Sequence, residues 1–193
     1  MTVWQNQPII RVRKGRYLFT FFINISAGVG GKCSMEGKRL TSYAMEELEC
    51  PKCGHKHSLK KYKVINVTEK AKLKEEIMKN RLYQFSCEEC EYMAPLTYDS
   101  LYVDSRRNIM IYMAPVMNAE IKAEIAELEQ EKGIDKRLVD NINDLKEKIM
   151  IVDNHLDDRV IEIIKIMYLD QIKKEMEDDT LLNILFDYNR DNY

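Results

Sequence analysis

At 193 residues, with 45% apolar and 32% charged side chains but only seven glycines and four prolines, the chain has the make-up of an ordinary globular protein, which excludes collagen-like and low-complexity classes. The formal net charge of −2 conceals a gradient: residues 1–44 carry seven Lys/Arg against one acid, residues 45–115 twelve against eleven, and residues 116–193 eleven against twenty. A nucleic-acid binder usually shows a basic stripe on its folded part, so a neutral-to-acidic body counts against that class.

The first 44 residues read differently from the rest. Arg11, Arg13, Lys14 and Arg16 precede the apolar run from Tyr17 to Gly31, an arrangement that imitates a signal peptide. Thr20, Asn24 and Ser26 interrupt that run, which is too short to span a bilayer comfortably, and no A-x-A site follows it. Lys32 stands where a lipidated Cys33 would need a small residue. Three readings follow: an unstructured extension upstream of a true start at Met35 or Met45, a membrane-directing segment, or an added strand. The first is the expectation carried forward.

From Ser58 to Val67 the β-branched and aromatic residues Tyr62, Val64, Ile65 and Val67 predict a strand. Thr68 offers an N-cap to a short amphipathic helix with Leu73, Ile77 and Met78 inward, and the charged run around them reads as its solvated face. Tyr83–Phe85 is a second strand. Two apolar runs then flank Asp104-Ser105-Arg106-Arg107-Asn108, a β-hairpin signature, and Pro115 closes the β region. Beyond it the period becomes helical. Asn118 caps a helix carrying Ile121, Ile125 and Leu128 that Gly133 ends, and Asn141 or Asn143 caps a second carrying Leu145 and Ile149. A third, from Leu156 to Met176, starts at Asp153 or Asn154 and turns Val160, Ile163, Ile164, Met167, Tyr168 and Ile172 inward. Its Asp157, Asp158 and Arg159 read as capping charges rather than catalytic groups. The last stretch, LLNILFDYNRDNY, is one more candidate strand.

Four of the five cysteines form two C-x-x-C pairs, Cys50/Cys53 and Cys87/Cys90, separated by 33 residues. Such pairs without a convincing export signal point to metal rather than to disulfides. A structural zinc wants four soft thiolates in a tetrahedron, and two C-x-x-C turns supply them. The gap exceeds the ribbon spacing of about 15–20 residues, and a strand, an inserted helix and a returning strand account for it. A thioredoxin-like dithiol is the rival, but that motif sits at a helix N-terminus, whereas Gly54 and a strand follow Cys53. Four thiolates fill the shell, so catalytic zinc is disfavoured, and His55 and His57 read as exposed strand residues. His155 reads as structural or exposed, and Cys33 as a spare thiol. No P-loop, nucleophile elbow or H-E-x-x-H motif occurs.

The order CPKCGH, the strand through VINV, the helix LKEEIMKNRLYQF, CEEC and then PLTYDSLYVDSRRNIMIYMAP resembles the CpXC family of bacterial proteins, as does the later LVDNINDLKEKIMIVDNHLDDRVIEIIKIMYLDQI. The resemblance covers roughly residues 48–187. It implies a zinc-ribbon-like domain holding metal through Cys50, Cys53, Cys87 and Cys90, and no particular reaction or partner. The second pair departs from the pattern: Glu88 replaces a proline, and Glu91 replaces the glycine that Gly54 supplies in the first.

The expectation is an α+β protein: an N-terminal extension (1–44), a four-cysteine zinc-ribbon-like β unit with an inserted helix (45–116), and an acidic, mostly helical region packed on it (117–193). The zinc is structural and the protein non-enzymatic and cytoplasmic, with no membrane contact. It acts by binding a protein partner. A nucleic-acid-binding ribbon using Lys52, Lys56, Lys60, Lys61 and Lys63 is the alternative, and a thiol–disulfide redox protein a further one.

Overall fold

The computed structural model describes residues 8–14, 17–22, 39–175 and 183–188. The chain divides into two units, one of residues 31–146 and the other of residues 1–30 with 147–193. Strands β1 (Pro8–Lys14) and β2 (Tyr17–Phe22) belong to the second.

The first unit is built on a five-stranded mixed sheet, so the α+β class holds. Strand β3 (Ser42–Glu49) forms an antiparallel hairpin with β4 (Lys56–Asn66), the first cysteine pair lying in its turn. After β4 come α1 (Lys72–Met78), a 3-10 turn at Arg81–Tyr83, and a small hairpin of β5 (Gln84–Ser86) and β6 (Met93–Pro95) around the second pair. The chain then returns as β7 (Ser100–Asp104) and β8 (Ile109–Met113), crosses through α2 (Ala119–Glu129), and adds β9 (Asp135–Val139). The sheet order is β3-β4-β7-β8-β9, with β4–β7 and β8–β9 parallel. Every residue of β7 and β8 is buried, as central strands of such a sheet require. Leu101, Val103, Met110, Tyr112, Ile121 and Leu128 form an apolar cluster between sheet and α2.

Asn118 caps α2 as its sequence predicts, its Oδ1 accepting from the Ile121 N–H at 2.8 Å. Three expectations are corrected here. Thr68 does not cap α1, which starts four residues later without a side-chain cap; its hydroxyl accepts instead from the Ser105 N–H at 2.8 Å, tying the β4 exit to the β7–β8 turn. Pro115 does not close the β region, because β9 pairs with β8 along its whole length. That pairing keeps residues 117–139 in the sheet-bearing unit, so the division at 116/117 is not the one the fold makes. Gly133 (φ 77°) lies beyond the end of α2, in the turn leading to β9.

Helix α3 (Ile142–Asp153) contains the boundary between the units. Asn141 caps it, accepting from the Asp144 N–H at 2.9 Å. In the second unit α3 continues through an exposed, left-handed His155 (φ 56°) into α4 (Asp158–Glu175). Asp157, not Asp153 or Asn154, serves the start of α4, its Oδ1 accepting from the Arg159 N–H at 3.0 Å. The face expected inward on α4 is largely wrong. Ile161 is fully buried and Ile164 and Tyr168 are half-buried, whereas Val160, Ile163 and Met167 are exposed. The cause is Lys165, which turns in to meet Glu147, so a count of apolar residues alone misplaces the buried stripe. Strand β10 (Asn183–Tyr188) pairs with β1, and β1 with β2, in an antiparallel sheet of order β10-β1-β2. The strand reading of the N-terminal segment thus describes residues 8–14 and 17–22; Cys33 and Ile172 lie outside the described side chains. Among the described residues no helix is long and apolar enough to cross a membrane.

Candidate metal centre

Both cysteine pairs sit in hairpin turns closed by the same two backbone bonds. In the first, the Gly54 N–H donates to the Cys50 carbonyl and the Cys50 N–H to the His55 carbonyl, each at 2.8 Å. In the second, the Glu91 N–H donates to the Cys87 carbonyl at 3.0 Å and the Cys87 N–H to the Tyr92 carbonyl at 2.8 Å. The residue after the second cysteine is left-handed in both, at φ 73° for Gly54 and 55° for Glu91. The departure from glycine in the second turn has therefore not changed its shape.

Beneath the turns Cys50, Phe85 and Cys87 are buried together, with Leu48, Leu59, Tyr92 and Leu96 against them. This packing holds one hairpin on the other and brings all four sulfurs within 4.8 Å. Cys50 Sγ lies 3.6 Å from Cys90 Sγ, and Cys53 Sγ 3.5 Å from Cys87 Sγ. A tetrahedron with metal–sulfur bonds of about 2.3 Å has edges of about 3.8 Å. The four cysteines are thus placed to hold one metal ion. Their exposure is uneven: the first cysteine of each pair is 1% exposed, while Cys53 is exposed and Cys90 half-buried.

The acidities of these thiols diverge. Desolvation opposes a Cys50 thiolate, but the backbone N–H groups of Cys53 and Lys52 and the Cys90 and Cys53 sulfurs overcome it and bring the thiol down to about 7. At Cys53 the His55 N–H favours the thiolate, yet desolvation and the three neighbouring sulfurs push the thiol up to about 12. Cys90 is also raised, first by desolvation. One proton leaves easily and the later ones do not, which is how four thiols behave when no cation offsets their mutual repulsion. A divalent ion reverses that preference.

A model of the CpXC protein family matches residues 48–165, more than half of the chain. The chain belongs to the CpXC family. No curated protein and no solved structure matches it. In this CpXC protein the matched region starts two residues before Cys50, takes in both cysteine turns and strands β4 and β7–β9 but only the end of β3, and ends within α4 rather than near residue 187.

Of the residues read as bystanders, His55 is exposed and His57 is not. His57 is half-buried on β4, its Nε2 3.2 Å from Cys87 Sγ and its ring edge-on to Phe85 at 5.4 Å. Strand alternation carries the missed signal, because His57 shares the parity of Leu59, which packs inward. The lysines of the basic stripe are mostly engaged. Lys60 lies over the Tyr43 ring at 4.9 Å, Lys61 pairs with Glu46 at 2.6 Å, and Lys52 Nζ donates to the Cys90 carbonyl at 3.3 Å.

Proposed function

We propose that this CpXC protein is a non-enzymatic interaction module whose Cys50, Cys53, Cys87 and Cys90 bind one structural zinc. The observation that carries the reading is the convergence of four thiols, at edges near those of a zinc tetrathiolate, on the turns of two small hairpins. Hairpins built from strands of three to eleven residues bury little, so a metal cross-link is the physical device that suits them. Four protein ligands leave no open position for substrate, which favours a structural over a catalytic role. Four thiols kept reduced suit a cytoplasmic setting. A protein partner is supported by the surplus of acids in residues 116–193 and by the large apolar side chains exposed on α4, Ile166 and Met167 among them. Engagement of Lys52, Lys60 and Lys61 within the chain removes most of the support for the nucleic-acid alternative.

The test is metal analysis of the purified protein beside a Cys87→Ser variant. Wild type should hold about one zinc per chain, and the variant far less. A folded, metal-free wild type that takes up no zinc would overturn the reading.

A further inference from the structure

We infer that His57 is a positioning residue of the metal centre, its Nε2–H donating a hydrogen bond to the Cys87 sulfur. The inference rests on the metal reading above. The contact is 3.2 Å, and Cys87 is one of the two buried sulfurs, so water does not readily replace a lost donor there. A thiolate bound to metal carries no proton, so in the loaded protein the imidazole nitrogen is the only partner of this pair that can donate. The ring meets two others: it lies edge-on to Phe85 at 5.4 Å and tilted against His55 at 4.8 Å. Strand β4 fixes its backbone opposite Leu48 of β3, next to the first cysteine turn. His57 therefore reaches from the first hairpin to the sulfur of the second, linking the two turns independently of the metal.

The electrostatic effect has a definite sign. Four thiolates around a divalent ion leave a charge of −2, and Glu88, Glu89 and Glu91 add to it from the second turn. An N–H donor draws electron density from one sulfur and lessens that excess, as outer hydrogen bonds to metal ligands commonly do. Removing it should weaken metal binding and raise the electron density on sulfur.

The probe is Co(II), titrated into wild type, His57→Phe, His57→Gln and His55→Phe under reducing conditions. His57→Phe keeps an aromatic ring on Phe85 without a donor, and His57→Gln restores an N–H without the ring. His55→Phe controls for the neighbouring ring stack. His57→Phe should bind Co(II) roughly 10- to 100-fold more weakly, with the sulfur-to-cobalt charge-transfer band at longer wavelength. His57→Gln should recover part of both, and His55→Phe should match wild type. A His57→Phe protein with unchanged affinity and band overturns the inference while leaving the metal reading intact. Equal losses in His55→Phe and His57→Phe overturn it too, since they indicate a packing effect. Failure of wild type to bind Co(II) overturns the metal reading and this inference together.

Discussion

Glu91 and Gly54 hold equivalent places in the two cysteine turns, both left-handed, yet only one position is free of a Cβ. A non-glycine residue there costs about 1–2 kcal/mol, while glycine returns about 0.5–1 kcal/mol of that through its freer unfolded chain. Glu91→Gly should therefore stabilise the loaded protein by roughly 0.5–1 kcal/mol. It also removes a carboxylate from beside an anionic centre. In the first turn a Cβ on Gly54 would meet only Glu49 Oε1, at an ordinary 3.6 Å, so steric overlap adds nothing to the backbone strain. Gly54→Ala should accordingly destabilise by about 1 kcal/mol. Urea titrations of the two variants check both signs, and a destabilised Glu91→Gly would show that the turn draws on the Glu91 side chain.

At the scale of elements, α3 and α4 are joined by charge, and Ile149 and Ile151 on α3 and Ile161 on α4 are buried. Lys148 Nζ lies 2.6 Å from Glu162 Oε1 and 3.6 Å from Asp158 Oδ2, and Lys165 Nζ lies 2.9 Å from Glu147 Oε2. The Lys148 and Asp158 side chains are 10% exposed and that of Glu147 2%, so loss of a partner leaves a charge in a poorly hydrated place. Lys148→Ala should cost about 3 kcal/mol. Desolvation raises the Glu162 carboxyl, but Lys148 and Lys165 outweigh it and hold it below its ordinary range. Desolvation likewise lowers Lys165, and Glu147 with Glu162 outweighs it, so that ammonium is held above its own. The Glu162 contribution is full above an unfolded pKa of about 4.3 and is lost as pH falls through the depressed folded value. The Lys165 contribution is full below about 10.4 and is lost as pH rises through the raised folded value. Melting temperatures measured across pH should show both shoulders in wild type, and Lys148→Ala should flatten the acid one. An unchanged acid shoulder would show that Lys148 is not what holds the Glu162 carboxyl down.

Across the whole molecule, what is legible in the sequence is what short-range chemistry dictates. The C-x-x-C turns, the Asp104–Asn108 hairpin and the Asn118 cap each depend on a few adjacent residues. Strand β9 is not legible, because DKRLV carries three charges and joins the sheet at its edge, through β8. The inward Lys165 and the sulfur contact of His57 are hidden for a related reason: each polar group is turned in by a partner distant in the chain. In the first unit the apolar cluster under the cysteine turns and the one between the sheet and α2 share no residue. Only the first includes cysteines. The strands joining them are narrow, since β4 pairs with β7 only over Val64–Asn66 while its cysteine end pairs with β3 alone. Metal removal should therefore act locally. With a chelator under reducing conditions, amide hydrogen exchange should rise at Cys50, Gly54, Cys87 and Glu91, whose N–H groups close the turns, and along β5–β6. The amides of β7 and β8 should keep their protection, because their core contains no ligand. Exchange that rises equally in both regions would mean that the ribbon and the sheet unfold as one cooperative unit, and the metal would then stabilise the entire first unit rather than its cysteine end.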